Sequence, residues 1–85
     1  MGKHEKILAS ILSARSNNSI RFSDLTSLLR SLGFTERVKG SHHIYYMQGI
    51  EEILNLQPLG AHAKAYQVRQ VRNVILEYNM EEPNE

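Results

Sequence analysis

The sequence contains no cysteine. That excludes a disulfide scaffold, a cysteine-ligated zinc finger and a thiol nucleophile. Apolar runs extend for only a few residues, so no segment reads as a membrane span. Met1-Gly2-Lys3-His4-Glu5-Lys6 is not followed by an apolar stretch of signal-peptide length. With no export signal and no cysteine, a cytoplasmic location is expected. Internal repeats and low-complexity segments are also lacking. Size excludes more: 85 residues allow one small domain. A chain this short buries only about 60–65% of its unfolded surface. It has room for one core and one shallow site, and none for a deep cleft between domains. What is present is ordinary for a globular domain, with 41% hydrophobic and 22% charged residues.

The net charge is only +1, but it is unevenly spread. Glu81, Glu82 and Glu85 sit in the last five residues. Residues 1–80 carry all 10 Lys and Arg against 6 acids, a net of +4. A mildly basic body with a short acidic tail permits a polyanionic partner.

Periodicity predicts the elements. In residues 4–14, Ile7, Leu8, Ile11 and Leu12 make one apolar stripe on a helix. Arg15-Ser16-Asn17-Asn18-Ser19 is polar and turn-prone, and stops it. A second helix is expected to begin at Ser23 as N-cap, with Asp24 in its first turn. Leu25, Leu28, Leu29 and Leu32 form its apolar face, with Phe22 just before the cap, and Gly33 ends it. Residues 34–39 then alternate with period two. Phe34 and Val38 fall on one side, and Thr35, Arg37 and Lys39 on the other. Gly40-Ser41 is a turn, residues 42–47 a second strand, and Gln48-Gly49 a second turn. Residues 51–57 form a third strand, with Leu54 and Leu56 on one side and Ile53, Asn55 and Gln57 on the other. Pro58 and Gly60 end it, and residues 59–65 read as a loop holding His62 and Lys64. Helical period returns from Tyr66 to about Tyr78, with Val68, Val71, Ile75 and Tyr78 on one stripe. From Asn79 onward a frayed tail is expected.

The order is α-α-β-β-β-α in one domain spanning residues 1–85. Its core is residues 22–78, with an extra N-terminal helix at 4–14 and an acidic tail at 79–85. Three short antiparallel strands cannot bury two faces, so an α+β fold is expected, with the helices on one face of the sheet and the other open. The open face should carry Arg37, Lys39 and one set of second-strand side chains. Such a basic face with interleaved Tyr and His suits RNA, because bases stack on rings while phosphates meet cations.

Chemistry is densest in Arg37-Val38-Lys39-Gly40-Ser41-His42-His43-Ile44-Tyr45-Tyr46. A Gly-Ser corner offers amide N–H groups and a hydroxyl to an anion. Imidazole transfers protons near neutral pH. Strand alternation aims His42 and His43 at opposite faces, so they are not expected to share one task or to chelate a metal. One of Tyr45 and Tyr46 should pack inside and the other face solvent. His4 is expected in solvent. The stripe of the first helix is expected to pack on its own domain, with dimerisation or partner docking as the alternative.

Gly40-Ser41-His42-His43-Ile44-Tyr45 follows a helix ending near Gly33. It precedes a hydrophobic strand ending in Pro58 and a basic C-terminal helix. Over residues 22–78 this resembles the HicA-type toxins of bacterial and archaeal type II toxin–antitoxin systems. The resemblance implies an α+β, double-stranded-RNA-binding-domain-like fold with a three-stranded antiparallel sheet. It also implies a small cytoplasmic toxin that cleaves mRNA as an endoribonuclease and is neutralised by a HicB-like antitoxin. The family's active histidine then falls on His42, with His43 as the alternative. Two features depart from the shortest members: the helix over residues 4–14, and Asn55-Leu56-Gln57-Pro58 with His62 in a long loop where a Pro-x-His pattern is usual.

Arg37, Lys39, Gly40 and Ser41 are expected to contact RNA phosphates. Lys64, Arg69 and Arg72 extend that track along the last helix, where Arg69 and Arg72 share a face. No cofactor, metal or membrane partner is expected. A non-catalytic RNA-binding module and a protein-only adaptor of the same fold are the competing readings.

Overall fold

Helix α1 spans Lys3–Ser13 and buries Ile7, Leu8 and Ile11. Leu12, grouped with that stripe from the sequence, is exposed instead. Helix α2 spans Phe22–Ser31 and buries Phe22, Leu25, Leu28 and Leu29. These elements come from a computed structural model that describes residues 2–13 and 20–80. The turn expected at residues 15–19 and the acidic residues 81–85 lie outside the described residues.

Helix α2 does not start as expected. Its N-cap is Arg21, and no side chain caps it. The chain enters the helix from a short pairing: Arg21 bridges His62, and the Phe22 N–H donates to the Ala61 carbonyl at 3.0 Å. That backbone partner satisfies the first of the N–H groups that a helix start leaves open, and Ser23 lies within the first turn. At the other end Gly33 takes φ +104°. The Phe34 N–H reaches the Leu29 carbonyl and the Gly33 N–H the Arg30 carbonyl. This is a Schellman ending, with buried Phe34 beside Leu29.

Strands β1 (Thr35–Lys39), β2 (His42–Met47) and β3 (Ile50–Leu56) form an antiparallel sheet in the order β1-β2-β3. Lys39 pairs with His42 across the Gly40-Ser41 loop. Gly40 has φ +61°, while Ser41 is not in the left-handed region. A two-residue hairpin loop with positive φ at its first position alone is the pattern of a type II′ turn, which asks for glycine there. A bulge between Tyr45 and Met47 shifts the β2–β3 register.

Residues expected to form a plain loop make a small ribbon instead. Strands β4 (Pro58–Leu59) and β5 (His62–Ala63) pair with each other, and β5 also meets the entry to α2. His62 is therefore an exposed strand residue. Helix α3 spans Ala65–Glu77. Asn79, at φ 49°, closes it in the left-handed region, and Met80 packs against the core. This end is capped rather than frayed, because Asn tolerates the left-handed conformation that a helix ending needs.

The protein is thus α+β, with three helices and a three-stranded antiparallel sheet in the order α-α-β-β-β-α and the β4–β5 ribbon before α3. Leucines of α2, Val68, Val71 and Ile75 of α3, and Ile7 and Ile11 of α1 pack with Tyr45, Leu54 and Leu56. Helix α1 therefore packs on its own domain. Val38, on the same side of β1 as Phe34, is 54% exposed, because the helix layer does not cover this end of the edge strand. No described helix is long and apolar enough to cross a membrane.

Candidate functional site

Alternation divides the chemistry of β2 between two environments. His42, Ile44 and Tyr46 lie on the outer face of the sheet, and His43, Tyr45 and Met47 on the inner face. Register then assembles the outer face. Arg37 stands opposite Ile44 and Lys39 opposite His42, while Asn55 of β3 lies opposite Ile44. Arg37, Lys39, His42, Tyr46, Ile53 and Asn55 are all exposed, so no described helix covers this side. Gly40 and Ser41 form the turn at its basic end.

His42 is exposed but held. Its Nδ1 lies 3.1 Å from Asn55 Oδ1, while its Nε2 has no protein partner among the described residues. Ser41, immediately before it, accepts a hydrogen bond from Gln57 Nε2 at 3.0 Å. Gln57 is fixed in turn by buried Gln67 of α3. With its amide turned to satisfy both ends, Gln67 donates to the Gln57 carbonyl and accepts from the Gln57 N–H, each at 3.0 Å. Asn55 and Gln57 fall on one side of β3 in the sequence, but neither appears there as a site residue. Their link to Ser41 and His42 depends on the β2–β3 register, which sequence alternation alone does not supply.

His43 has a different setting. Its ring meets Phe22 edge-on, with centroids 4.9 Å apart. Its Nδ1 is buried without a hydrogen bond, 3.8 Å from Glu36 Oε2. Glu36 also accepts from Arg30 at 2.9 Å and from the buried hydroxyl of Tyr45. The Tyr45 hydrogen bond, aided by Arg30, holds the Glu36 carboxyl below its usual range despite partial burial. Burial, then the bond to Glu36, pushes the Tyr45 hydroxyl well above the usual tyrosine range. This inner cluster ties β1, β2 and α2 together.

The residues named from sequence separate into two groups. Arg37, Lys39, Gly40, Ser41 and His42 come together at one end of the sheet. Lys64, Arg69 and Arg72 lie in the helix layer. Lys64 is the N-cap of α3, one turn from Gln67 and so toward the Ser41 end. Arg69 is exposed on α3, while Arg72 donates to the Ile11 carbonyl at 3.2 Å. A cation at that carbonyl suits the negative end of the α1 dipole. His4, expected in solvent, is half-buried with Nε2 2.6 Å from Ser27 Oγ. Packing of α1 on α2 draws it in. Among the described residues, no group of three or more His, Asp or Glu side chains is placed to hold a metal ion.

Comparison with protein-family models, curated proteins and solved structures finds no match to this chain.

Proposed function

We propose that this chain is a toxin of the HicA type, an endoribonuclease that cleaves mRNA without a metal ion and is restrained by a HicB-like antitoxin. The observation that carries the reading is the setting of His42. It is an exposed imidazole on an open sheet face, with one nitrogen engaged by Asn55 and the other available, and with Lys39 paired directly across from it. The α+β order and the uncovered sheet face support a double-stranded-RNA-binding-domain-like architecture as part of the same reading.

The chemistry follows from those groups. His42 Nε2 takes the proton of a ribose 2′-hydroxyl, and the 2′-oxygen attacks the adjacent phosphorus. The bond to the 5′-oxygen breaks, the leaving oxygen takes up a proton from solvent at the open face, and a 2′,3′-cyclic phosphate remains. Lys39, with Arg37 beside it, neutralises charge gathering on the phosphoryl oxygens. Gly40 and Ser41 flank the chain at the turn, and Lys64 extends the track toward the first turn of α3. Arg69 adds charge along the helix layer, and Arg72 contributes less because its guanidinium serves α1. Among the two histidines, His42 suits the role better, since His43 Nδ1 is buried against Phe22 and Glu36. Two histidines aimed at opposite faces cannot chelate together, which favours metal-free acid–base catalysis.

The test is incubation of the purified chain with RNA in the presence of a chelator. Cleavage to cyclic-phosphate ends is expected, and His42→Ala should reduce it by about 10²–10⁴-fold, the usual contribution of a proton-transfer group. Circular dichroism and thermal midpoint should not change. Retained RNA binding with no cleavage by the parent would favour a non-catalytic RNA-binding module. Absence of both would favour a protein-only adaptor.

A further inference from the structure

The contact between His42 and Asn55 does more than hold the ring in place. The atom of Asn55 that faces His42 Nδ1 is its carbonyl oxygen, at 3.1 Å. A carbonyl oxygen can only accept, so Nδ1 must supply the proton. In a neutral imidazole the other nitrogen then carries the lone pair. That nitrogen, Nε2, is the one without a partner among the described residues. Asn55 therefore selects which nitrogen can act as a base, as well as the direction in which it points.

The surroundings brace this arrangement from behind. Gln57 follows directly on the end of β3, two residues beyond Asn55. The Gln57 side chain reaches Ser41 Oγ, next to His42 in sequence. The Gln57 main chain is clamped at both its N–H and its C=O by the amide of Gln67. Gln67 is 1% exposed, one of only two buried polar side chains among the described residues. A buried amide is costly unless its donor and acceptor are both used, and here both are spent on Gln57, the residue that follows β3. The chain segment carrying Asn55 is thus anchored to α3, and the turn that leads into His42 is anchored to that segment through Ser41.

We infer that Asn55 is the positioning residue of His42, fixing its neutral imidazole as the Nδ1–H tautomer, with Gln67 and Gln57 bracing the pair. The catalytic consequence rests on the ribonuclease reading, but the tautomer does not. A free neutral imidazole favours the proton on Nε2. Removing the acceptor should therefore turn the lone pair toward β3 and away from the open face.

Long-range nitrogen–proton correlation spectra of the full chain, taken above the histidine titration, read this directly. In the parent, His42 Nδ1 should show the shift of a protonated ring nitrogen and Nε2 that of an unprotonated one. Asn55→Leu, which keeps the shape and removes the acceptor, should reverse the two. Asn55→Asp, which keeps an acceptor, should restore the parent pattern. An Nε2–H tautomer in the parent, or no change in Asn55→Leu with the fold retained, overturns the inference. Should Asn55→Leu fail to fold, the parent and Asn55→Asp spectra still decide it. If the parent cleaves RNA, Asn55→Leu should lower kcat roughly 10–10²-fold with KM little changed, a part of what a positioned base supplies, and Asn55→Asp should recover most of it. Equal losses in the two variants would contradict the role. A parent that shows the Nδ1–H tautomer but cleaves no RNA would remove the ribonuclease reading and leave the positioning contact standing.

Discussion

The two faces of one three-stranded sheet use neighbouring residues for opposite purposes. On the inner face Tyr45, Leu54 and Leu56 are fully buried, and the Tyr45 hydroxyl, Glu36 and His43 are drawn into packing or into the Glu36 cluster. On the outer face His42, Arg37, Lys39 and Asn55 are exposed, and the apolar Tyr46 and Ile53 are left in solvent with them. His42 and His43 are adjacent in sequence, yet one has a hydrogen-bonded ring in solvent and the other a ring packed on Phe22. The difference arises from the two-residue period of a strand. It shows that stability and candidate chemistry occupy opposite sides of the same backbone, so each can be altered with little cost to the other.

That separation can be broken most severely from inside. Leu54→Ala leaves a cavity under the sheet and should destabilise the fold by about 2–5 kcal/mol, measured by urea unfolding. A loss below 1 kcal/mol would mean that the inner face is not the main source of stability.

The polar part of the inner face should matter less. Tyr45→Phe removes the hydrogen bond to Glu36 and should cost about 1.5–3 kcal/mol, the range for a bond to a charged partner. The same variant should change how stability depends on pH. Glu36 is depressed in the fold, first by the Tyr45 bond. Its contribution is present above the ordinary carboxylate range and lost as pH falls through it. Tyr45 is raised, so its contribution is present below the ordinary tyrosine range and lost as pH rises through that range. Stability of the parent should therefore fall at both extremes. Tyr45→Phe should flatten the acid limb and weaken the alkaline one, to which Tyr78, raised by its bond to Glu52, also contributes. Parallel curves for parent and variant would count against the cluster.

The outer face supplies the smallest effect and the sharpest contrast. Ile53 neighbours Leu54 but is 63% exposed. Ile53→Thr keeps a β-branched strand residue and should change stability by no more than about 0.5 kcal/mol. A loss comparable to that of Leu54→Ala would show that something covers the outer face.

Much of this division is legible in the sequence. The leucines of α2 recur at helical spacing, and residues 34–39 and 51–57 alternate, so the element order and the open face can be read without coordinates. The β4–β5 ribbon cannot. Two-residue strands have no period to detect, Pro58 and Gly60 read as terminators, and the pairing that stabilises the ribbon comes from Arg21, distant in sequence. The same non-local pairing moves the N-cap of α2 from Ser23 to Arg21. The site is legible only in part for a related reason. The Gly-Ser-His element is local and conspicuous. Asn55 gains meaning only when hairpin register brings it beside His42, and Gln67 only when α3 lies along β3. His4 reads as a solvent residue for the same reason, since its partner Ser27 belongs to another helix.

Helix α3 and its C-cap Tyr78 are attached to the chain at both ends of β3. Gln67 grips the main chain of Gln57 at one end. At the other, the Tyr78 hydroxyl donates to Glu52 at 2.6 Å and accepts from the Glu51 N–H at 3.2 Å. Gln67 and Tyr78 are eleven residues apart. At ~1.5 Å per residue that is about 16 Å, and three turns return both side chains to one side of the helix. The strand residues they hold lie five and six positions apart, which is about 16–20 Å at ~3.3 Å per residue. Helix and strand are therefore two rulers cut to the same length in different units. Adding one residue to the helix between the two attachments turns one of them by about 100°. Adding four restores the direction but overshoots the strand by about 6 Å. The length of α3 is thus confined to a single value by a strand that lies elsewhere in the chain, and an insertion there would be felt at Gln57 and Ser41 before it was felt in the core.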